Sequence, residues 1–274
     1  MSLSPEQRTA LEATCKTMRK DILYMIYKAK SGHPGGSLSC VEIVAALYFY
    51  EMHIDPKNPA YADRDRFILS KGHACPTVYS ALGRRGFFDV ESFDSLRKLG
   101  CSLQGHPHAC RVPGFDCSAG SLGQGLSVAN GLALAAKKAE KGYRTYCLMG
   151  DGELQEGQVW EAVMTGAHYN LDNLCAFVDY NGVQLDGMVR DIMNVEPLAE
   201  KFLAFNWNVI EIDGHDIAAV IDALDRARTC HGKPSVIIAK CIKGKGVSYM
   251  ENKPAWHGAA PNDEQYAQAI AELQ

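Results

Sequence analysis

From residue 126 onward, apolar positions follow two alternating rhythms. Helical spacing runs through LSVANGLALAAKKAEKG (126–142), EGQVWEAVMTGAHYN (156–170), PLAEKFLAFN (197–206) and IAAVIDALDRARTCHGK (217–233). Between these lie nearly continuous apolar runs: YRTYCLMG (143–150), NLCAFVDYN (173–181), WNVIEIDG (207–214) and PSVIIAKCI (234–242). Short unbroken apolar runs suit strands buried on both faces, and helices between them suit parallel pairing. The expected fold is α/β, a largely parallel sheet with helices on both faces. The N-terminal portion reads as helical: EQRTALEATCKTMRKDILYMIYKAK (6–30) should end near Ser31-Gly32, where glycine suits a C-terminal cap. SCVEIVAALYFYEM (39–52) should follow, with Ser39 and Glu42 placed as a capping box. RDRFILSKGHA (64–74) reads as a strand entering a polar loop, and TVYSALGRRG (77–86) and VESFDSLRKLG (90–100) as short helices. No repeat or linker interrupts this pattern, so residues 1–274 read as one domain.

Composition narrows the function classes. A net charge of -4 and two lysines in the longest basic cluster, KGKG (243–246), argue against nucleic acid or a membrane surface as partner. The first 20 residues lack a signal-peptide core and no long apolar span follows, which implies a cytoplasmic protein. Ten cysteines without a C-x-x-C imply reduced, mostly buried thiols. Cys101, His106, His108, Cys110 and Cys117 offer enough ligands for zinc, but their spacings match no zinc pattern.

In parallel sheets, ligands bind beyond the carboxyl ends of strands, where helix N-termini offer free N–H groups. Asp151 follows one strand and Asn181 the next, 30 residues on, so a right-handed crossover brings their loops to one edge. A carboxylate, an amide oxygen and a backbone carbonyl from the turn after Asn181 are hard donors suited to Mg²⁺ or Ca²⁺. Gly150 and Gly152 leave room for a diphosphate between metal and helix N-terminus. Taken singly, Asp151 could be only a helix cap and Asn181-Gly182 only a turn; their joint spacing favours the metal–diphosphate site. There is no P-loop, and the glycines of GSLGQG (120–125) have the wrong spacing for a dinucleotide fingerprint. His33, His73, His106 and His257 each lie beside Gly or Pro in a loop, as proton carriers or hydroxyl binders in a sugar site would. Glu153 and Glu161 read as first-turn and surface helix carboxylates.

SGHPGG, LSKGHA, LQGHP, GSLGQG, GDGELQEGQVWEA, DYNGVQLDG and WHGAAP occur in the order found in the N-terminal half of transketolases, across residues 31–260. The chain thus resembles that family; deoxyxylulose-phosphate synthase, a relative, shares KGKG and the later HG, but GHPGG and GSLGQG are more similar to transketolase. The resemblance implies thiamine diphosphate with Mg²⁺ or Ca²⁺ as cofactors. It implies Asp151, Asn181 and the Val183 carbonyl as metal ligands, and Gly152 and Asn181 as diphosphate contacts. His73, Gly120, Ser121, Leu122 and His257 match positions around the cofactor. His33, His106 and His257 match channel histidines that bind sugar hydroxyls or assist proton transfer, and Glu156 matches an interface carboxylate in a proton network. Ser121 stands where the family often has proline, and Val183 where it has isoleucine. His108, Cys110 and Cys117 match no functional position.

Single-chain transketolases continue for more than as long again, with a pyrimidine-binding domain whose glutamate helps form the thiazolium ylide. The resemblance therefore implies the diphosphate-binding subunit of a split transketolase, an α2β2 assembly with a C-terminal partner. The implied reaction moves a two-carbon ketol unit from a ketose phosphate to an aldose phosphate, in carbohydrate metabolism such as the pentose phosphate pathway. Alternatives are a split enzyme for a branched or sulfonated sugar, a deoxyxylulose-type synthase, a non-catalytic subunit and a zinc-binding interaction module.

Overall fold

The five strands are β1 (Arg66–Leu69), β2 (Thr145–Gly150), β3 (Leu174–Tyr180), β4 (Asn208–Asp213) and β5 (Ser235–Lys240). Every pairing between these strands is parallel, in the order β1-β2-β3-β5-β4. The structure is a computed structural model and describes residues 3–274. Its helices are α1 (Pro5–Ala29), α2 (Pro34–Leu38), α3 (Val41–Ala46), α4 (Cys75–Arg85), α5 (Gly125–Lys138), α6 (Gly157–His168), α7 (Val189–Ile192), α8 (Leu198–Ala204), α9 (Ile217–Thr229) and α10 (Asp263–Glu272).

Successive strand residues point to opposite faces, and the two cores divide by that alternation. Phe67, Leu69, Tyr146, Leu148, Cys175, Phe177, Ile237 and Ala239 join a core with α1, α3, α4, α9 and α10. Ile68, Cys147, Met149, Ala176, Val178, Val236 and Ile238 join the other, with α5, α6 and α8. Both faces are therefore apolar and covered, as the unbroken runs required.

Local chemistry sets several boundaries differently from the sequence reading. Ser4 begins α1 with a reciprocal box, accepting from the Gln7 N–H at 3.2 Å while its own N–H reaches Gln7 Oε1 at 3.0 Å. That helix ends on Lys30, at φ 50, and not on Gly32. Ser39 caps no helix by its side chain: its hydroxyl donates to Asp179 at 2.5 Å, while Glu42 takes Arg19 at 2.6 Å and His215 at 3.0 Å. The helix from Val41 widens after Ala46, where the Met52 N–H reaches back to Leu47 O at 2.9 Å. Residues 90–95 form only a short tight turn of helix, and α7 and α10 are additions to the sequence reading.

Strand order fixes where a ligand can enter. The chain steps from β1 to β2 to β3 with α5 and α6 on one face, passes over one position to β4, and returns through α9 on the other face to insert β5. The loops after β3 and β5 leave toward opposite faces, which opens a crevice at the carboxyl ends of these neighbouring strands. At that crevice Asp179, wholly buried near the end of β3, accepts from the Lys71 ammonium, which also donates to Gly36 O at 2.8 Å. Burial disfavours both charges, yet their pairing outweighs it, raising the lysine and lowering the aspartate. One ion pair thus joins the ends of β1 and β3 to α2.

Removing one partner leaves the other charge buried and uncompensated. Lys71→Met should lower the unfolding free energy in urea by about 3–5 kcal/mol, with part recovered when Asp179→Asn is added. A loss below about 1 kcal/mol would mean the pair does not tie these elements.

Candidate active site

Loops from β1, β2, β3 and β5 converge with α2 on a cavity of about 250 Å³. Asp151, Gly152, Asn181, Val183, Glu156, Leu122, His73 and His257, all expected from the sequence, line it. Gly120 and Ser121 depart from that grouping: they line an adjacent cleft with Ile68, Ser70 and Gln124. His33 and His106 lie outside the cavity lining but pack into its histidine wall. The His33 ring centroid is 5.3 Å from those of both His73 and His257 and 6.1 Å from His106, and His73 is 5.2 Å from His257.

Asp151 is 1% exposed and bridges two strand-end loops, accepting from the Gly152 N–H at 2.8 Å and the Gly182 N–H at 2.5 Å. Burial, then the nearby Asp179 charge, pushes its carboxyl up to about 6. Asn181 donates to Asp179 at 3.1 Å and its amide oxygen takes the Val183 N–H at 3.1 Å. The Val183 carbonyl accepts from the Lys243 ammonium at 2.9 Å, so a cation already occupies that oxygen. Lys243 also contacts His257 Nδ1 at 2.9 Å, and burial, then Lys71, brings it down to about 8.

Glu153 stands in the first turn of a short helix, as read, but its contacts are buried and tertiary. It is 3% exposed and accepts from the Ser70 hydroxyl, the Gly123 N–H at 2.8 Å and the Gly150 N–H at 3.1 Å. This one carboxylate holds the loop after β1, the GSLGQG loop and the end of β2 in register. The glycines of GSLGQG serve contact as well as conformation: a Cβ on Gly125 would lie 2.4 Å from Ser70 Oγ, and one on Gly123 would lie 2.7 Å from Glu156 Cβ. Gly123 also has φ +82, in the left-handed region.

All four loop imidazoles are held neutral. Burial is the leading cause in each, followed by Arg97 for His33 and His106, Lys71 for His73 and Lys243 for His257. His33 falls to about 4 and His257 to about 3. Neutral imidazoles in contact can present N–H donors and ring-nitrogen acceptors to sugar hydroxyls without mutual repulsion. Elsewhere, all ten cysteines are free, and burial drives thiols such as Cys40 up to about 11. Among the described residues, no group of three or more His, Cys, Asp or Glu side chains is placed to hold a metal ion, which leaves the zinc reading of residues 101–117 without support.

Sequence reasoning missed Lys71, Lys243 and the role of Glu153. Lys243 follows β5 as Asp151 follows β2, so the strand-end rule could have found it where net charge alone could not. Lys71 sits two positions before His73, and its sequence context marks only a polar loop.

The histidine shifts carry a pH signature. A histidine whose folded value lies below 6.5 contributes stability that is complete above 6.5 and is lost as pH falls toward the folded value. For His33 that window runs from 6.5 to about 4. Asp151, raised to about 6, contributes in the opposite sense between its ordinary 3.8 and that value, so the test compares variants and not the whole protein alone. Between pH 7 and 5, wild type should lose about 1 kcal/mol more stability than His33→Gln, after allowance for partial solvent screening. Urea unfolding at the two pH values checks this, and equal losses would contradict it.

The model of one protein family, described as transketolase, thiamine diphosphate binding domain, matches residues 11–273. A 6-deoxy-6-sulfo-D-fructose transketolase subunit of Clostridium sp. (strain MSTE9) is 45% identical over 269 residues, covering 98% of each chain. An apulose-4-phosphate transketolase subunit of Phocaeicola vulgatus is 42% identical over 267 residues, covering 97% of this chain and 95% of that one. The crystal structure of transketolase from Campylobacter jejuni superposes with a TM-score of 0.91 at 35% identity, covering 97% of this chain and 43% of its own. The chain therefore belongs to the transketolase family, as its N-terminal, thiamine diphosphate-binding subunit.

Proposed function

We propose that this chain is the cofactor-holding half of a split transketolase that moves a two-carbon ketol unit from a ketose phosphate to an aldose phosphate. The observation that carries the reading is the convergence of Asp151, Asn181, the Val183 carbonyl and Gly152 on one cavity at the ends of β2 and β3. Residues 1–274 act as one diphosphate- and metal-binding domain, and a pyrimidine-binding C-terminal subunit completes the site in a cytoplasmic α2β2 assembly. No nucleic acid or membrane takes part; no helix among the described residues is long and apolar enough to cross a membrane.

The residues present fit the metal and the cofactor. Asp151, Asn181 and the Val183 carbonyl are hard oxygen donors suited to Mg²⁺ or Ca²⁺. Asp151 is buried and raised for want of a compensating charge, which a divalent ion would supply. The ion would take the Val183 oxygen from Lys243 and free that ammonium for the diphosphate. At Gly152 a Cβ would come 3.2 Å from Gln184 Cβ, so glycine lets this wall approach closely without displacing that side chain. Gly152 and Asn181 would contact the diphosphate, and His73, Leu122 and His257 would line the rest of the cofactor site, with Gly120 and Ser121 in the adjacent cleft. Thiamine diphosphate, when bound, supplies the carbon nucleophile that breaks and remakes the ketose carbon–carbon bond. His33, His106 and His257 hold sugar hydroxyls, and Glu156, exposed at the cavity rim, faces the partner subunit.

A specialised sugar is the favoured refinement. Relatives matched over nearly their whole length are named for 6-deoxy-6-sulfo-D-fructose and apulose 4-phosphate, which supports an unusual donor over those of the pentose phosphate pathway.

Asp151→Ala should weaken Mg²⁺-dependent thiamine diphosphate binding at least about a hundredfold, or about 2.7 kcal/mol, measured by calorimetry with the partner subunit present. Wild-type binding should also weaken as pH falls through about 6, where Asp151 takes up its proton. Unchanged binding by the variant would refute the metal role. Absence of ketol transfer by the reconstituted enzyme, across ketose phosphates and a sulfonated ketose, would refute the activity.

A further inference from the structure

Arg97 is a non-glycine residue at φ 62, in the sparsely populated left-handed region, held there by its N–H to Leu103 O at 2.8 Å. Such backbone persists where surrounding structure over-determines it, and here the consequence is the placement of one side chain. The guanidinium turns inward, with Nη1 3.0 Å from Ser31 Oγ and Nη2 3.3 Å from His33 Nδ1. Gly105 gives it room: a Cβ there would lie 2.8 Å from Arg97 Cζ.

A guanidinium carries N–H groups and no acceptor, so His33 Nδ1 must be the acceptor of this hydrogen bond. The ring proton then resides on Nε2, the edge that lies across from Gly258, where a Cβ would come within 3.9 Å. We propose that Arg97 is a positioning residue that fixes His33 as the neutral Nε2–H tautomer, so that His33 serves the sugar site as a hydrogen-bond donor to a substrate oxygen and not as a base. The second clause rests on the transketolase reading; the tautomer does not. The charged neighbours of His33 agree with it: after burial, the cations Arg97 and Lys243 both disfavour a second ring proton. The Ser31 contact explains the choice of arginine, whose planar fork reaches two partners at once.

The test reads ring nitrogens directly. In ¹⁵N-histidine spectra of the whole chain at pH 7, with His33→Gln used for assignment, wild-type His33 should carry its proton on Nε2. Arg97→Met should give a mixture of tautomers and bring the His33 titration up toward the ordinary histidine range, and Arg97→Lys, which keeps a donor, should retain the single tautomer. Gly105→Ala, which displaces the guanidinium without removing it, should resemble Arg97→Met. In the reconstituted enzyme, kcat of Arg97→Met should fall about tenfold with a smaller change in KM, a scale set by partners that orient imidazoles elsewhere. A wild-type proton on Nδ1, or an unchanged tautomer in Arg97→Met, overturns the proposal. Reconstituted wild type without turnover overturns the transketolase reading instead and leaves the spectra to decide the tautomer.

Discussion

The fold turns on a single buried ion pair. Lys71 and Asp179 stand at the carboxyl ends of β1 and β3, two strands separated by β2, and α2 closes over them through Gly36 O and the Ser39 hydroxyl. Two charges out of water are tolerable only with close geometry and further hydrogen bonds, and both are supplied here. The loops that leave from the pair are tied to it by further contacts. Asn181 is anchored to Asp179, Asp151 feels the Asp179 charge, and Lys71 helps to keep His73 neutral.

The electrostatics around that pair follow one plan. Burial removes charge from imidazoles, raises the two carboxyls at Asp151 and Glu153, and brings Lys243 down to about 8. Among the described residues, no cation touches Asp151 and no anion touches Lys243: the carboxylate accepts from two backbone N–H groups, and the ammonium meets the Val183 carbonyl and His257. A divalent ion with a diphosphate supplies one of each, which gives a physical reason for the pairing of these ligands in the proposed function. The histidine wall remains neutral and can read hydroxyls by direction of donation.

The sheet was largely legible in the sequence because strands buried on both faces leave unbroken apolar runs. Their alternation also told which loops share an edge, and so brought Asp151 and Asn181 together from spacing alone. What escaped was chemistry made by distant pairing. Nothing local distinguishes Glu153, which binds Ser70, Gly123 and Gly150, from a solvated first-turn glutamate. Ser39 with Glu42 meets the spacing of a capping box, yet both side chains are claimed by tertiary partners more than twenty positions away. Arg97 likewise lies in a segment whose pattern suggests a plain helix, whereas its left-handed backbone, held by the Leu103 carbonyl, turns its side chain to Ser31 and His33.

The insertion of β5 between β3 and β4 has a consequence for how the molecule is made. Synthesis delivers β3 and β4 first, each with an unpaired edge facing a gap that only the strand at 235–240 can fill. Until then the sheet ends in an open edge at β3 and β4 has no strand partner, the kind of surface that pairs with other chains. The crevice between β3 and β5 does not exist during that interval, and Lys243 has not emerged. A chain still lacking the last strand carries Asp151 and Asn181 but no finished cleft, so closure of the sheet and assembly of the cleft are one event.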